Sequence, residues 1–268
     1  EYRNYIKKGK MDYLYDKVQL YDTIKHVMQG HGLTDHIPAI QEDLKDIEHN
    51  MLHFLENHDE QRISSPEFAG NADKAKPAMV VSATISTAPT MIYFGQEFGE
   101  DGSENAGFGS PSRTSIFDYV GVPSLQRWVN NQNFDGGKST KEESALRDFY
   151  KRLLNFTIKS NALMGEYQDI HYFNRKNTEW YNHKVLSFVR WSDNEKLIVI
   201  SNFNPEKAYG FDLGLPDDII KKWNLKNGEY ILKDQLYNEY SSTLVVKDSQ
   251  AKFRIDIKPL ESFILHLQ

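Results

Sequence analysis

The residues best suited to chemistry fall in one run, Phe54-Leu55-Glu56-Asn57-His58-Asp59-Glu60-Gln61-Arg62, where an apolar stretch passes directly into polar and charged side chains. If the apolar part is a parallel strand, its polar end sits where side chains converge on the mouth of a sheet or barrel rather than on its core. A carboxylate at Asp59, beside an imidazole and near a guanidinium, can stabilise developing positive charge or steer a neighbouring group. A second reading needs no ligand: Asn57, His58 and Asp59 cap the next turn and pair locally, as Asx residues often do. The spacing alone leaves both readings open.

The elements that must position this run are readable on either side of it. Met11 to Tyr15, Met51 to Leu55 and Thr90 to Phe94 read as three strands, the last closed by Gly95. Between the first two, Ile37, Ile40, Leu44 and Ile47 keep helical spacing behind the cap candidates Thr34 and Asp35. Lys74 to Thr87 reads as a helix capped by Asn71 or Asp73, with Pro77 tolerated only in its first turn. A loop rich in Gly, Ser, Asn and aromatics runs from Gly95 to Asn133, too long for a bare connector. Thr140 and Glu143 then form a capping box for a helix with a stripe of Leu146, Phe149, Tyr150, Leu153, Leu154 and Phe156, expected to end near Asn161 to Gly165. From about residue 166 the pattern changes to short β-branched and aromatic runs: a hairpin of Val185 to Trp191 with Leu197 to Phe203, then Glu229 to Lys233, Thr243 to Lys247, Phe253 to Ile257 and Ser262 to Leu267. The fold class read from this is α/β over residues 1–165, followed by an all-β antiparallel sandwich over residues 166–268.

With these elements in place, LENHDEQR after a hydrophobic strand resembles the fourth sequence region of the α-amylase family of glycoside hydrolases. MDYLYDKVQLYD (11–22) is similar to that family's sixth barrel strand and the segment after it, and PAMVVSATISTAPTMIYFGQEFG (77–99) to its seventh helix, eighth strand and closing turn. SRTSIFDY (112–119) resembles the Arg-containing loop after that strand, and PLESFILHL (259–267) the end of the carboxyl-terminal sandwich. The resemblance therefore implies strands six to eight of a (β/α)8 TIM barrel, with their helices, followed by the β domain. It implies Asp59 as the carboxylate that orients substrate and stabilises the transition state, and His58 as a hydrogen-bonding partner of sugar hydroxyls. Asn57 would support the strand end, and Arg62 and Arg113 are substrate-site candidates matched by loop context. Glu97 would brace the barrel mouth.

Retaining hydrolysis needs two carboxyl groups about 5 to 5.5 Å apart, one a nucleophile and one an acid and base. In the resembled family these lie on the fourth and fifth strands, upstream of the segment matching residue 11. The chain alone is therefore expected to be inactive, with the upstream half of the barrel as its natural partner and an open barrel edge as a route to self-association. Glu56, Glu60, Glu97, Glu100 and Asp101 are acidic and near the mouth, but none occupies a strand end in the missing register. The abrupt start at Glu1 reads as processed or truncated.

Other chemistries are excluded or unsupported. The sequence has no cysteine, which removes disulfides, thiolate metal sites and cysteine nucleophiles together, and a net charge of -6 argues against nucleic acid. No window is long and apolar enough for a membrane span, so the chain reads as soluble with no targeting segment, and its compartment is open. No GxGxxG, phosphate loop, GxSxG or HExxH occurs, so no cofactor is expected. Asp101, Glu104 and Asn105 could ligate Ca²⁺, but EF-hand spacing is absent and a flexible acidic loop accounts for them equally well. Phe108, Phe117, Tyr119 and Trp128 can stack on sugar rings or fill the gap between domains, and packing is the preferred reading. The partner expected is an α-glucan oligosaccharide or polysaccharide. The alternative is a non-catalytic carbohydrate-binding or structural module.

Overall fold

The computed structural model describes residues 1–102 and 121–268. Its first part alternates helices with short strands: α1 (Tyr2–Lys7), β1 (Leu14–Tyr15), a π-helical turn at Lys17–Tyr21 running into α2 (Asp22–Met28), α3 (His36–Leu44), β2 (Met51–Leu52) and α4 (Lys76–Thr84). β1 and β2 are parallel, with Leu14 opposite Met51 and Tyr15 opposite Leu52. A third parallel segment joins β2 at His53, which bridges Thr90; its N–H donates to Pro89 O at 3.0 Å, and Met91 N–H donates to its carbonyl at 2.8 Å. The three strands thus follow the expected order but are shorter than their apolar runs. The chain leaves the ladder early at Asp16, whose carboxylate accepts the Leu20 N–H at 3.1 Å and starts the π-helical turn.

The remaining elements are α5 (Pro123–Val129), α6 (Lys141–Thr157), β3 (Glu166–Asp169), α7 (His171–Asn177), β4 (Val185–Trp191), β5 (Lys196–Asn202), β6 (Tyr209–Leu215), α8 (Asp217–Lys222), β7 (Gly228–Asp234), β8 (Ser241–Lys247), β9 (Gln250–Ile257) and β10 (Ser262–Leu267). α6 carries the capping box its sequence implies: Thr140 Oγ1 accepts Glu143 N–H at 3.1 Å and Glu143 Oε2 accepts Thr140 N–H at 2.9 Å. It stops at Thr157, short of the expected end, because Glu195 captures the next turn, accepting from Ser160 Oγ and Ala162 N–H at 2.7 Å each. Within the stretch read as a loop, Pro123 opens α5, and the Glu100 carboxylate accepts the Ser124 N–H at 2.9 Å in its first turn.

The β strands form one antiparallel, curled sheet in the order β3-β4-β5-β10-β7-β8-β9-β6. Successive side chains of its central strands go to different cores. Leu186 and Phe188 of β4, Leu197 and Val199 of β5 and Ile264 of β10 pack with Met79, Val80 and Phe149 of the first part. Their neighbours Val185, Val189, Ile198, Ile200, Phe263 and Leu265 close a second core with Phe211, Leu232, Leu244 and Phe253. Burial on both faces explains why β4, β5 and β10 place apolar residues at successive positions, as in Leu197–Ile200 and Phe263–Leu265, whereas β9 alternates strictly between core and water. The edge strand β6 is shielded by an amide: Asn174 Nδ2 donates to Gly214 O and Asn174 Oδ1 accepts Gly214 N–H, both at 2.9 Å.

Two clamps hold the β sheet to the first part. Arg190 of β4, fully buried, donates to Thr84 O at the carboxyl end of α4 at 2.9 Å and to Leu163 O at 2.7 Å. Burial brings its guanidinium pKa down to about 10. Thr34 and Asp35, expected to cap α3, serve the same junction. Thr34 Oγ1 donates toward His183 O and Val185 O at 2.8 Å, and the Asp35 carboxylate accepts from His171 Nε2 and Arg175 Nε at 2.9 Å. Asp35 makes no side-chain bond into its own helix. Among the described residues no helix is long and apolar enough to cross a membrane.

Candidate functional site at the carboxyl ends of the parallel strands

The apolar run of β2 continues buried through Phe54 and Leu55, Phe54 stacking on Tyr21 with ring centroids 4.7 Å apart. The chain then turns. Asn57, buried, accepts the backbone N–H groups of Asp59 at 2.8 Å and Glu60 at 2.9 Å, so its amide builds an Asx turn beneath His58 and Asp59. His58 Nε2 lies 3.3 Å from Asp59 Oδ2, with side-chain exposures of 39% and 73%. The local capping that the residue types allow is therefore formed, and it lifts His58 and Asp59 to the surface at the carboxyl end of β2.

The rest of the loop is tied to both neighbouring strand ends. Glu60 reaches Lys17, just past β1, at 3.4 Å, and Lys17 in turn pairs with Asp22 at 2.6 Å. Gln61 Oε1 accepts Lys25 Nζ at 2.6 Å. On the other side Arg62 donates through Nη1 to Phe94 O, past the third strand, at 2.8 Å, and to Glu56 Oε2 at 2.9 Å. Glu56 Oε1 accepts the Ile63 N–H at 2.7 Å. Burial raises the Glu56 carboxyl pKa, and the adjacent Arg62 charge and the Ile63 hydrogen bond work against that rise. The His58–Asp59 tip is thereby held between anchors to the segments after β1 and after the third strand.

Of the residues expected at a sugar site, the structure brings Asn57, His58, Asp59 and Arg62 together in this one loop. Arg62 is 2% exposed and turned onto Glu56 and Phe94, so here it braces the loop rather than facing solvent. Arg113 lies outside the described residues, as do Glu104, Asn105, Phe108, Phe117 and Tyr119. The nearby carboxylates have structural employment: Glu56 holds Arg62, Glu60 holds Lys17, and Glu100 caps α5. Glu97 follows Gly95, whose φ of +85° suits a glycine; a Cβ there would come within 2.7 Å of Val122. Trp128 packs against Phe98 at 5.9 Å, as the packing reading has it. Lys17 is a contributor that sequence reasoning did not mark. Its only signal was its place immediately after a strand, in the stretch DKVQLYD.

Residues 177–268 match the family described as alpha amylase, C-terminal all-beta domain. Over 154 residues the chain is 27% identical to the 1,4-alpha-glucan branching enzyme GlgB 2 of Clostridium perfringens (strain SM101 / Type A), covering 53% of this chain and 22% of that enzyme. Over 186 residues it is 29% identical to the 1,4-alpha-glucan branching enzyme GlgB of Francisella tularensis subsp. novicida (strain U112), covering 66% of this chain and 25% of that enzyme. The chain thus spans about a quarter of the length of these relatives. In fold it resembles the crystal structure of AmyP in complex with maltose, with a TM-score of 0.64, 16% identity, and coverage of 98% of this chain and 53% of that one. Residues 177–268 thus carry an all-β domain of the alpha amylase C-terminal type, preceded by helices and short parallel strands. These likenesses are to carboxyl-terminal portions of α-glucan-active proteins, with the family match itself confined to residues 177–268.

Proposed function

We propose that the chain is part of a retaining enzyme acting on α-linked glucans, in which residues 1–165 supply the last part of the catalytic barrel and residues 166–268 the β domain behind it. The observation that carries this reading is the anchoring of the His58–Asp59 tip between the ends of neighbouring parallel segments. Cleavage with retention passes through an oxocarbenium-like transition state, flanked by a nucleophile and an acid. A third carboxylate, Asp59, stabilises the positive charge developing on the sugar ring. His58 donates a hydrogen bond to a hydroxyl of the sugar at the cleavage point, and Asn57 fixes the turn that presents both. Arg62 acts through Glu56 and Phe94 as a positioning residue.

The nucleophile and the acid come from strands of the barrel that this chain does not carry. Whether water or a sugar hydroxyl intercepts the intermediate separates hydrolysis from transfer, and the proteins similar to this chain include branching enzymes and AmyP in complex with maltose. α-Glucan oligosaccharides or polysaccharides are the proposed ligands. The test is turnover of α-1,4-glucan by the chain alone and by the chain fused to the first five strands of a related barrel. The chain alone should release no reducing sugar. The fusion should turn over, and Asp59→Asn should lower its kcat/KM by about 10²–10³-fold. Turnover indifferent to that substitution, or robust cleavage by the chain alone, would refute the proposal.

A further inference from the structure

A second surface, remote in sequence from the His58–Asp59 tip, has the makings of a ligand platform. Trp180 is 71% exposed, yet it is held on a constrained turn with φ of +69°, a conformation L side chains rarely adopt. The residues around it fix that turn. Tyr181 N–H donates to Thr178 O at 3.3 Å, Asn182 Nδ2 donates to Trp180 O at 3.1 Å, and Tyr181 itself is buried with its hydroxyl 2.9 Å from His171 Nδ1. Strained backbone of this kind clusters at ligand-binding positions.

Trp180 borders a cleft of about 680 Å³ whose floor is the outward face of β6 and β9. Gly210 and Gly214 flank Asp212 on β6, and these three lie opposite Asp256, Lys252 and Arg254 respectively on β9. The Arg254 guanidinium lies across Gly210, where a Cβ would come within 2.2 Å of Nη2. Exposed Asp212, Gln250 and Lys252 offer acceptors and donors along the same cleft. One flat indole face beside mixed donors and acceptors, in a groove open to solvent, suits a ligand with an apolar ring face and a hydroxyl rim. A pyranose has both, whereas an apolar ligand would need an enclosed greasy pocket.

We propose that this cleft is an auxiliary glucan-binding site, with Trp180 stacking on one sugar ring and Asp212 and Lys252 bonding its hydroxyls. The identity of the sugar as an α-glucan rests on the proposed function; the location of the site does not. The test is calorimetric titration of the 268-residue chain with maltoheptaose, together with its retention on granular starch. Trp180→Ala should weaken maltoheptaose binding about tenfold or more and release the chain from starch, and Asp212→Ala should weaken binding too. Trp180→Gly should abolish retention while holding or raising Tm, by roughly 2 °C, because glycine accepts the positive φ. Undiminished binding by Trp180→Ala, or equal retention on cellulose, would overturn the proposal. If starch retention depends on Trp180 while turnover of the fused enzyme ignores Asp59, the catalytic reading falls and this one stands.

Discussion

Burial pushes the Asp169 carboxyl from its ordinary 3.8 up to about 6, although it accepts the His171 N–H at 2.7 Å and the Tyr172 N–H at 3.3 Å. The folded protein therefore holds this proton more tightly than the unfolded chain, so the contribution is full below about pH 4 and lost as the pH rises through about 6. His171 acts in the opposite sense. Burial lowers its pKa, so its contribution is lost as the pH falls below its ordinary 6.5. Asp169→Asn removes the first effect and keeps the second. Urea unfolding should show the variant gaining stability relative to the parent as the pH goes from about 4 to about 7; parallel profiles would contradict this. At the candidate site, the Asn57–His58–Asp59 turn was legible because its hydrogen bonds are local. The Lys17–Glu60 and Arg62–Phe94 ties were not, because each joins groups that only the parallel strand order brings together.

Among the elements, α6 was the most legible, since cap and stripe agree in one segment. Thr140→Ala should cost about 1 kcal/mol by chemical denaturation. Leu153→Ala, at a fully buried position, should cost about 2–5 kcal/mol, and equal effects of the two would contradict the assignment of Leu153 to the core. β10 matched its apolar run, Ser262–Leu267, because both of its faces are covered. The strands left unread are those whose composition works against the pattern. β3 is a polar edge strand, EYQD, and β6 carries two glycines between its buried Phe211, Leu213 and Leu215. α8 did carry a signal, two aspartates in its first turn and two lysines in its last, matching the helix dipole. α5 was hidden by the Gly- and Asn-rich sequence around it.

At the scale of the whole molecule, the alternating burial of β4, β5 and β10 joins two cores through one sheet, and Arg190 and the Thr34–Asp35 pair fasten the junction. The β sheet thereby supports α4 and, through it, the parallel strands whose carboxyl ends carry the candidate site. Around β1 the surface is apolar, with Met11, Tyr13, Tyr15 and Val18 exposed, a face suited to the preceding strands of a barrel. The anchored tip and this face belong to the same part of the chain, so the proposed opposite wall of the cleft would stand on the strands that cover it. The most direct test is a crystal structure of the fused enzyme with bound maltotriose. Sugar hydroxyls are expected within hydrogen-bond distance of His58 Nε2 and of the Asp59 carboxylate, at the mouth shared by the parallel strands. Sugar bound at a catalytic mouth remote from both residues, with Asp59 directed into bulk solvent, would contradict the proposed role of the tip.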